Sequence, residues 1–353
     1  MTNEPPGDQG PERAGPSAPG GRSHRRHTVD HFPDPSAGMV LHRVLATAAR
    51  TFLLNDADDG PGSGPVATGG VDALADAMGT RPLWAQSAVE LLRGTERRSD
   101  RTERVHQTRV AMRRVRSNLR TFRLLLDPAW GTALRAELAW YGNELGHSRD
   151  LELLADVISG RGPEVLAADE VARLLAVVDW QRDGVADRIS TEQAGPRRAW
   201  LTGQMMVLWE GPEFKAKAAK PAGEVLPAML QRTWRDLRGT ARTARKNPSD
   251  DHLHRLRIRL KDLRYGSETL ALVEGGPARK TARAAERLQS KLGELHDAVF
   301  AIGWLESLAA EQEDLADAAE RLLALERDVA AEHRRRWKHD LREVERRWRR
   351  WKG

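Results

Sequence analysis

The sequence has 353 residues, with 57 Lys and Arg against 51 Asp and Glu and a formal net charge of +6. Cysteine is absent, which excludes disulfides, thiolate metal sites and a cysteine nucleophile; no run of about 18 apolar residues and no apolar leader are present, so we expect neither a membrane span nor a signal peptide. Only 5 Phe and 2 Tyr stand among many Ala, Leu and Arg residues, a composition that favours α-helices.

The N-terminal part of the chain is predicted to contain one long helix and two flexible stretches. Residues 1–35 are rich in Pro, Gly, Ser and charge, which predicts a disordered tail. The first predicted helix covers residues 37–54. Residues 55–70 are dense in Asp, Gly and Pro and predict a loop, and two short helical segments follow at 71–78 and 82–93.

From residue 101 onward the sequence predicts one helix after another. Pro- and Gly-containing breaks separate these helices, at residues 127–128, 160–163, 195–196, 211–212 and 275–277. The last predicted helix covers residues 314–351, and its apolar stripe includes Trp337 and Trp348. We expect this stripe to pack on the protein's own helices; docking on a membrane is the alternative.

The chain contains two copies of one helical segment. Residues 105–116 read Val-His-Gln-Thr-Arg-Val-Ala-Met-Arg-Arg-Val-Arg, and residues 253–264 read Leu-His-Arg-Leu-Arg-Ile-Arg-Leu-Lys-Asp-Leu-Arg. A second shared string follows each copy, at residues 144–150 and 291–297, and contains Leu-Gly and a final Asp. Two shared strings in the same order indicate a duplicated helical unit.

The duplication divides the chain into two predicted helical halves, at residues 36–215 and 222–353. The first half contains an insertion at about 55–100 that the second half lacks. In the second half, Ser249 is a good N-cap for the repeated segment.

Each repeated segment carries one column of basic side chains beside its apolar face, at 100° per residue. The columns are His106, Arg109, Arg113 and Arg116 in the first copy and His254, Arg257, Lys261 and Arg264 in the second. Neither column contains an acid, although like charges on one helix face repel each other. We therefore expect an anionic ligand, and a column about 15 Å long suits an extended polyanion. The alternatives are a solvated charged face and structural core histidines.

The second shared string supplies further candidates. Arg149 and His296 occupy matching positions in it. Gly146 and Gly293 indicate close helix packing or a helix break.

Two aspartates and three arginines near the repeated strings are further candidates for structural or binding roles. We expect Asp150 and Asp297 to orient an arginine or cap a helix rather than to catalyse a reaction. Three arginines are candidate flanking contacts to the anion, namely Arg120, Arg123 and Arg287.

The two columns and the Leu-Gly-x-x-Arg-Asp string resemble the CHAD family, the conserved histidine α-helical domain, over about residues 37–353. The resemblance implies an all-α fold of two pseudo-symmetric four-helix bundles with a basic groove or pore between them. It also implies binding of inorganic polyphosphate by the column residues, in the cytoplasm and on polyphosphate granules. The Glu-x-Glu-x-Lys signature of the CYTH triphosphatase domain is absent, so the chain resembles a stand-alone CHAD protein.

Three other functions compete with polyphosphate binding. An enzyme acting on phosphates would need carboxylates that hold Mg²⁺ or a Gly-rich phosphate loop, and neither pattern is found; we expect no catalysis, no cofactor and no metal site. A nucleic-acid-binding protein would use basic helices, but the columns have no interleaved aromatic residues to stack on bases. A helical scaffold for another protein is the remaining alternative.

Overall fold

The computed structural model describes residues 35–56, 101–193 and 195–352, and these residues form α-helices joined by short turns. In chain order the helices are α1 (Ala37–Asn55), α2 (Arg101–Thr121), α3 (Pro128–Arg161), α4 (Ala168–Gln193), α5 (Pro196–Glu210), α6 (Ala222–Lys246), α7 (Asp250–Glu274), α8 (Gly276–Glu311) and α9 (Glu313–Lys352). The predicted all-α class is confirmed. The predicted tail and the segments predicted between residues 57 and 100 lie outside the described residues, apart from residue 35.

Local capping explains why several helices begin where the sequence predicts. The Ser36 hydroxyl accepts a hydrogen bond from the Met39 N–H at the start of α1. The Asp127 carboxylate accepts one from the Trp130 N–H, directly before the proline that begins α3. Ser249 accepts one from the His252 N–H, so the predicted N-cap of α7 is confirmed. These side chains satisfy N–H groups that have no partner inside the helix.

The predicted breaks coincide with the observed helix ends. The turn between α7 and α8 depends on Gly275, whose φ of +67° lies in the left-handed region. A residue with a Cβ rarely adopts this conformation, so glycine there allows two long helices to follow each other directly.

The described residues from 35 onward form one compact unit with a helical core. The main apolar core joins α1, α2, the first half of α3, α5, α6, α7, α8 and the second half of α9. A smaller core joins the second half of α3 and α4 with α8 and the first half of α9. The apolar stripe of α9 is buried, and Trp348 stacks on Trp234 of α6 with ring centroids 4.8 Å apart. The predicted packing of this stripe on the protein's own helices is therefore confirmed. In the part of the chain that the structure describes, no helix is long and apolar enough to cross a membrane.

The two repeated segments lie in α2 and α7, which pack against each other through buried polar contacts. The Ser117 hydroxyl donates to Asp262 Oδ1 at 2.7 Å, and Arg120 Nη1 donates to Asp262 Oδ2 at 2.9 Å. The Thr269 hydroxyl donates to Asn118 Oδ1 at 2.8 Å. Because buried polar groups are costly to leave unpaired, these contacts fix how α2 and α7 are placed relative to each other.

Gly266 lets α6 and α2 approach α7 closely. A Cβ at this position would lie 2.4 Å from Leu230 Cδ1 and 3.2 Å from Thr121 Cγ2. Leu230 is fully buried and has little space into which it can move. The close approach of three helices therefore depends on the missing side chain.

We expect Gly266→Ala to lower the free energy of unfolding by about 1–3 kcal/mol, since overpacking strains a filled core. The matched control is Gly239→Ala in α6, where a Cβ would meet no atom within 4 Å. This control should stabilise the protein by about 0.5–1 kcal/mol, because alanine favours helix over glycine. Urea unfolding followed by circular dichroism measures both. Equal stabilities of the two variants would contradict the packing argument.

Candidate functional site

A pocket of about 620 Å³, the central pocket, lies between α2, α3, α7 and α8. The two repeated segments line it, one on α2 and the other on α7. Ten of the twelve predicted site residues are among its lining residues: His106, Arg109, Arg113, Arg116, Arg120, Arg149, His254, Arg257, Lys261 and His296. The fold thus brings the two basic columns to one place. Because His106 and His254 line the pocket, they are not core histidines.

Two of the predicted site residues, Arg264 and Arg287, are not among the lining residues of the central pocket. Arg264 Nε donates to Glu268 Oε1 at 2.9 Å, and its Nη2 lies 2.7 Å from Glu286 Oε1. Arg287 of α8 is exposed and is not a lining residue. Helical periodicity places Arg264 in the column, but α8 brings Glu286 to that position and neutralises it. The flanking candidate Arg123 is also outside the lining.

The central cations of the pocket have no acidic partner in the part of the chain that the structure describes. Among the described residues, no carboxylate lies within 4 Å of the side-chain nitrogens of four of them, which are Arg113, Arg116, Arg257 and Lys261. Other arginines of the same two helices are paired: Arg114 with Glu268, and Arg255 with Asp251. The pocket therefore concentrates positive charge that the described part of the protein does not neutralise.

Two glycines make room for the most buried guanidinium groups. A Cβ on Gly146 of α3 would lie 3.5 Å from Arg109 Nη1, and a Cβ on Gly293 of α8 would lie 3.5 Å from Arg257 Nε. Both glycines lie inside continuous helices, so a helix break is wrong, and each packs against the arginine of its own copy at an ordinary van der Waals distance. Arg109 Nη1 also donates to the Leu145 carbonyl at 2.6 Å. The same local arrangement thus occurs in both copies.

Burial and mutual repulsion weaken the basicity of the pocket cations. Burial, together with Arg257 and Arg113, lowers the pKa of Lys261 from 10.5 to about 6. Burial and the neighbouring Arg113 lower the pKa of Arg109 to about 10. Burial likewise lowers the pKa of Arg116. Both effects disfavour the charged form of a base, so the pocket would gain free energy from a nearby anion.

The pKa values of the pocket histidines are lowered, like those of Lys261 and the arginines. The rings of His254 and His296 have centroids 4.6 Å apart. Loss of hydration and the nearby Arg257 lower the pKa of both rings, and His254 further lowers that of His296. His254 Nδ1 and Arg257 Nε are buried and have no hydrogen-bond partner among the described residues. Such unpartnered polar atoms are costly, and a ligand with acceptor oxygens would satisfy them.

Asp150 and Asp297, the final acids of the second shared string, also line the pocket. Burial raises the pKa of each, while Arg109 acts to lower the pKa of Asp150 and Arg257 that of Asp297. Each Asp is thus electrostatically coupled to the arginine of its own copy. This coupling agrees with the predicted orienting role. In the described ranges, no group of three or more His, Asp or Glu residues is placed to hold a metal ion.

Sequence reasoning missed three residues of this site. Asn143 and His147 of α3 line the pocket; they share a helix face with Gly146 and Asp150, and this spacing could have identified them. Asp262, also a lining residue, joins α2 to α7. Asp262 could have been identified because it is the one acid within the basic repeated segment 253–264.

Comparisons with known proteins agree with the helical fold. A family model described as the CHAD domain matches residues 84–306. The chain is similar to the structure of PptA from Streptomyces chartreusis, with 19% identity, 89% of this chain and 99% of that chain covered, and a TM-score of 0.56. It is also similar to the crystal structure of the CHAD domain from the plant Ricinus communis, with 20% identity, 88% and 92% coverage and a TM-score of 0.61. No curated protein matches the chain.

We expect Lys261→Met to raise the free energy of unfolding by about 1–3 kcal/mol at pH 7 in anion-poor buffer, because it removes a buried amine that must give up its proton when the chain folds. Between pH 6 and 10.5 the unfolded chain protonates Lys261 whereas the folded protein does not. The stability of the wild-type protein therefore rises with pH in this range, and the advantage of the variant should shrink toward pH 10.

Urea unfolding at pH 7, 8.5 and 10 measures this effect. The control is Lys280→Met, at an exposed position of α8. It should change the free energy of unfolding by less than about 0.5 kcal/mol at each pH. A Lys261→Met variant that is less stable than the wild type, or whose advantage grows with pH, would contradict the charge assignment.

Proposed function

The chain belongs to the CHAD family, and on this basis we propose that it binds inorganic polyphosphate in the central pocket without catalysing a reaction. The observation that carries the proposal is the group of pocket cations with no carboxylate within 4 Å among the described residues. A protein that holds repelling cations together in a pocket loses stability unless an anion binds there. Polyphosphate supplies negative charge on every unit of a thin linear chain.

The residue types suit this ligand. Guanidinium groups donate two parallel hydrogen bonds to phosphate oxygens, and Arg113 of α2 and Arg257 of α7 line the pocket from different helices. Lys261 contributes a compact charge once it is protonated. His254 and His296 each donate one hydrogen bond when neutral and two when protonated. An anion raises the pKa of all these groups, so binding favours their charged forms.

Binding fits the pocket better than catalysis. Asp150 and Asp297 line it and are electrostatically coupled to the buried Arg109 and Arg257, and burial raises the pKa of each carboxyl group. The strongest opposite-charge influences on these carboxyl groups are Arg109 and Arg257, so both acids have a structural use that needs no metal ion. We assign them to holding Arg109 and Arg257 in place. Association with cytoplasmic polyphosphate granules would follow from the same contacts.

Nucleic acid is the second candidate ligand, because any phosphate backbone attracts arginine. Two observations favour polyphosphate over it. The lining of the pocket, within the described ranges, includes no Phe, Tyr or Trp on which a base could stack. The basic side chains also lie between four helices, where a thin chain enters more easily than a duplex.

We expect the double variant Arg113→Glu, Lys261→Glu to weaken binding of long-chain polyphosphate by about 100-fold or more, because reversing charges in a desolvated site costs several kcal/mol. The matched control is Arg238→Glu, Arg242→Glu, which makes the same charge change on the exposed face of α6. This control should stay within about threefold of wild type. Calorimetry at physiological salt measures affinity, and circular dichroism verifies the helical content.

Duplex DNA of equal total charge serves as the competitor in the same titration. DNA should fail to displace polyphosphate from the wild-type protein. Equal losses in the pocket variant and the α6 control would mean that total charge rather than the pocket governs binding. Displacement by DNA would favour the nucleic-acid function.

A further inference from the structure

Lys261 differs from the other lysines of the described chain in its surroundings. It lines the central pocket, and among the described residues its amine has neither a carboxylate within 4 Å nor a hydrogen-bond partner. Lys291, by contrast, donates to Asp340 at 2.8 Å. Lys246 and Lys280 are exposed to solvent. An amine in a pocket with no partner is open to small molecules that enter the pocket.

Basic side chains from three helices, α2, α7 and α8, lie around Lys261. Arg109, Arg113 and Arg116 of α2 and Arg257 of its own helix α7 all oppose its protonation. On α8, His296 is a further base whose protonation Lys261 opposes.

The acids of the pocket do not offset this repulsion. From α3 and α8, the carboxyl groups of Asp150 and Asp297 act on Arg109 and Arg257. Burial and four arginines are the strongest influences on the pKa of Lys261, ahead of these two acids and of Asp262, the third acid that lines the pocket. The amine is therefore held in its neutral form at neutral pH, and a neutral amine is the nucleophilic form.

We propose that Lys261 is a modification site for small acyl phosphates, which transfer their acyl group to its amine inside the central pocket. The neighbouring arginines bind the phosphate group of the reagent through charge-assisted hydrogen bonds. The Lys261 nitrogen attacks the carbonyl carbon, a C–N bond forms and the C–O bond to phosphate breaks. The electron pair leaves with the phosphate, which also takes the proton released by the amine.

The modification would alter the pocket permanently. An amide nitrogen does not take up a proton, so acylated Lys261 contributes no charge when an anion binds. The pocket then keeps its arginines but loses a cation at its centre. This inference needs only that the pocket accepts a phosphate group and does not depend on polyphosphate as the natural ligand.

The first test treats the full-length protein with acetyl phosphate at pH 7.5 and follows each lysine by peptide mass spectrometry. At this pH an exposed lysine is neutral in about 10⁻³ of molecules, whereas an amine with a pKa near 6 is almost wholly neutral. Because a weaker base is also a weaker nucleophile, we expect acetylation of Lys261 to be about tenfold faster than that of Lys246 and Lys280. An equal or slower rate at Lys261 would overturn the proposal.

The pH profile separates a neutral amine from a merely accessible one. Between pH 7 and 9 the rate at Lys280 should rise about tenfold per pH unit. The rate at Lys261 should rise less than about threefold per unit, because a bound phosphate raises the pKa of Lys261 only part of the way toward that of an exposed lysine. A tenfold rise per unit at Lys261 would contradict the proposal. The Lys261→Arg variant, which has no acylatable amine at this position, verifies the assignment of the modified peptide.

An uncharged reagent tests the part played by the arginines. N-acetoxysuccinimide transfers the same acetyl group but has no phosphate. The preference for Lys261 over Lys280 should be at least about threefold lower with this reagent than with acetyl phosphate, because the arginines bind only the phosphate. An unchanged preference would overturn the role assigned to the pocket. Polyphosphate affinity is measured separately by calorimetry, so its outcome does not decide this one.

Discussion

Repulsion between the basic columns of α2 and α7 is the constraint around which the central pocket is built. Two helices with like charges on facing sides would separate unless other contacts held them together. Buried polar contacts do so at one end of the pocket, where Asp262 accepts hydrogen bonds from Ser117 and Arg120. The Thr269–Asn118 hydrogen bond and the shared apolar core add to this. Each buried hydrogen bond contributes about 1 kcal/mol, so several are needed to offset the repulsion.

The duplicated strings give each half of this pocket the same pair of neighbouring residues, a glycine and a buried arginine. The Leu-Gly string places a glycine against the buried arginine of its own copy, Gly146 against Arg109 and Gly293 against Arg257. A larger side chain at either glycine would occupy the space of the guanidinium group. The buried arginine of each copy therefore packs against a glycine of the same copy.

The fold and most of the pocket could be predicted from the sequence because both depend on local patterns. Helix ends follow Pro, Gly and capping residues such as Ser249, and the columns follow helical periodicity. What could not be predicted depends on which helices meet in three dimensions. Arg264 continues the column in sequence, yet α8 brings Glu286 to it. Likewise, the low pKa of Lys261 results from burial and from arginines of another helix. The arrangement of the chain as two pseudo-symmetric four-helix bundles remains a prediction.

The central claim is that too few acids surround the pocket cations of the free protein, and that a bound polyanion reduces the repulsion between these cations. Proton uptake on binding tests it most directly, by titrating polyphosphate into the protein at pH 7.5 in two buffers of different ionisation enthalpy. The account predicts net uptake of up to about one proton, since a bound anion raises the pKa of Lys261 from about 6. Uptake should decline toward pH 6, where Lys261 is already partly protonated. Binding with no proton uptake, or with proton release, would contradict the account.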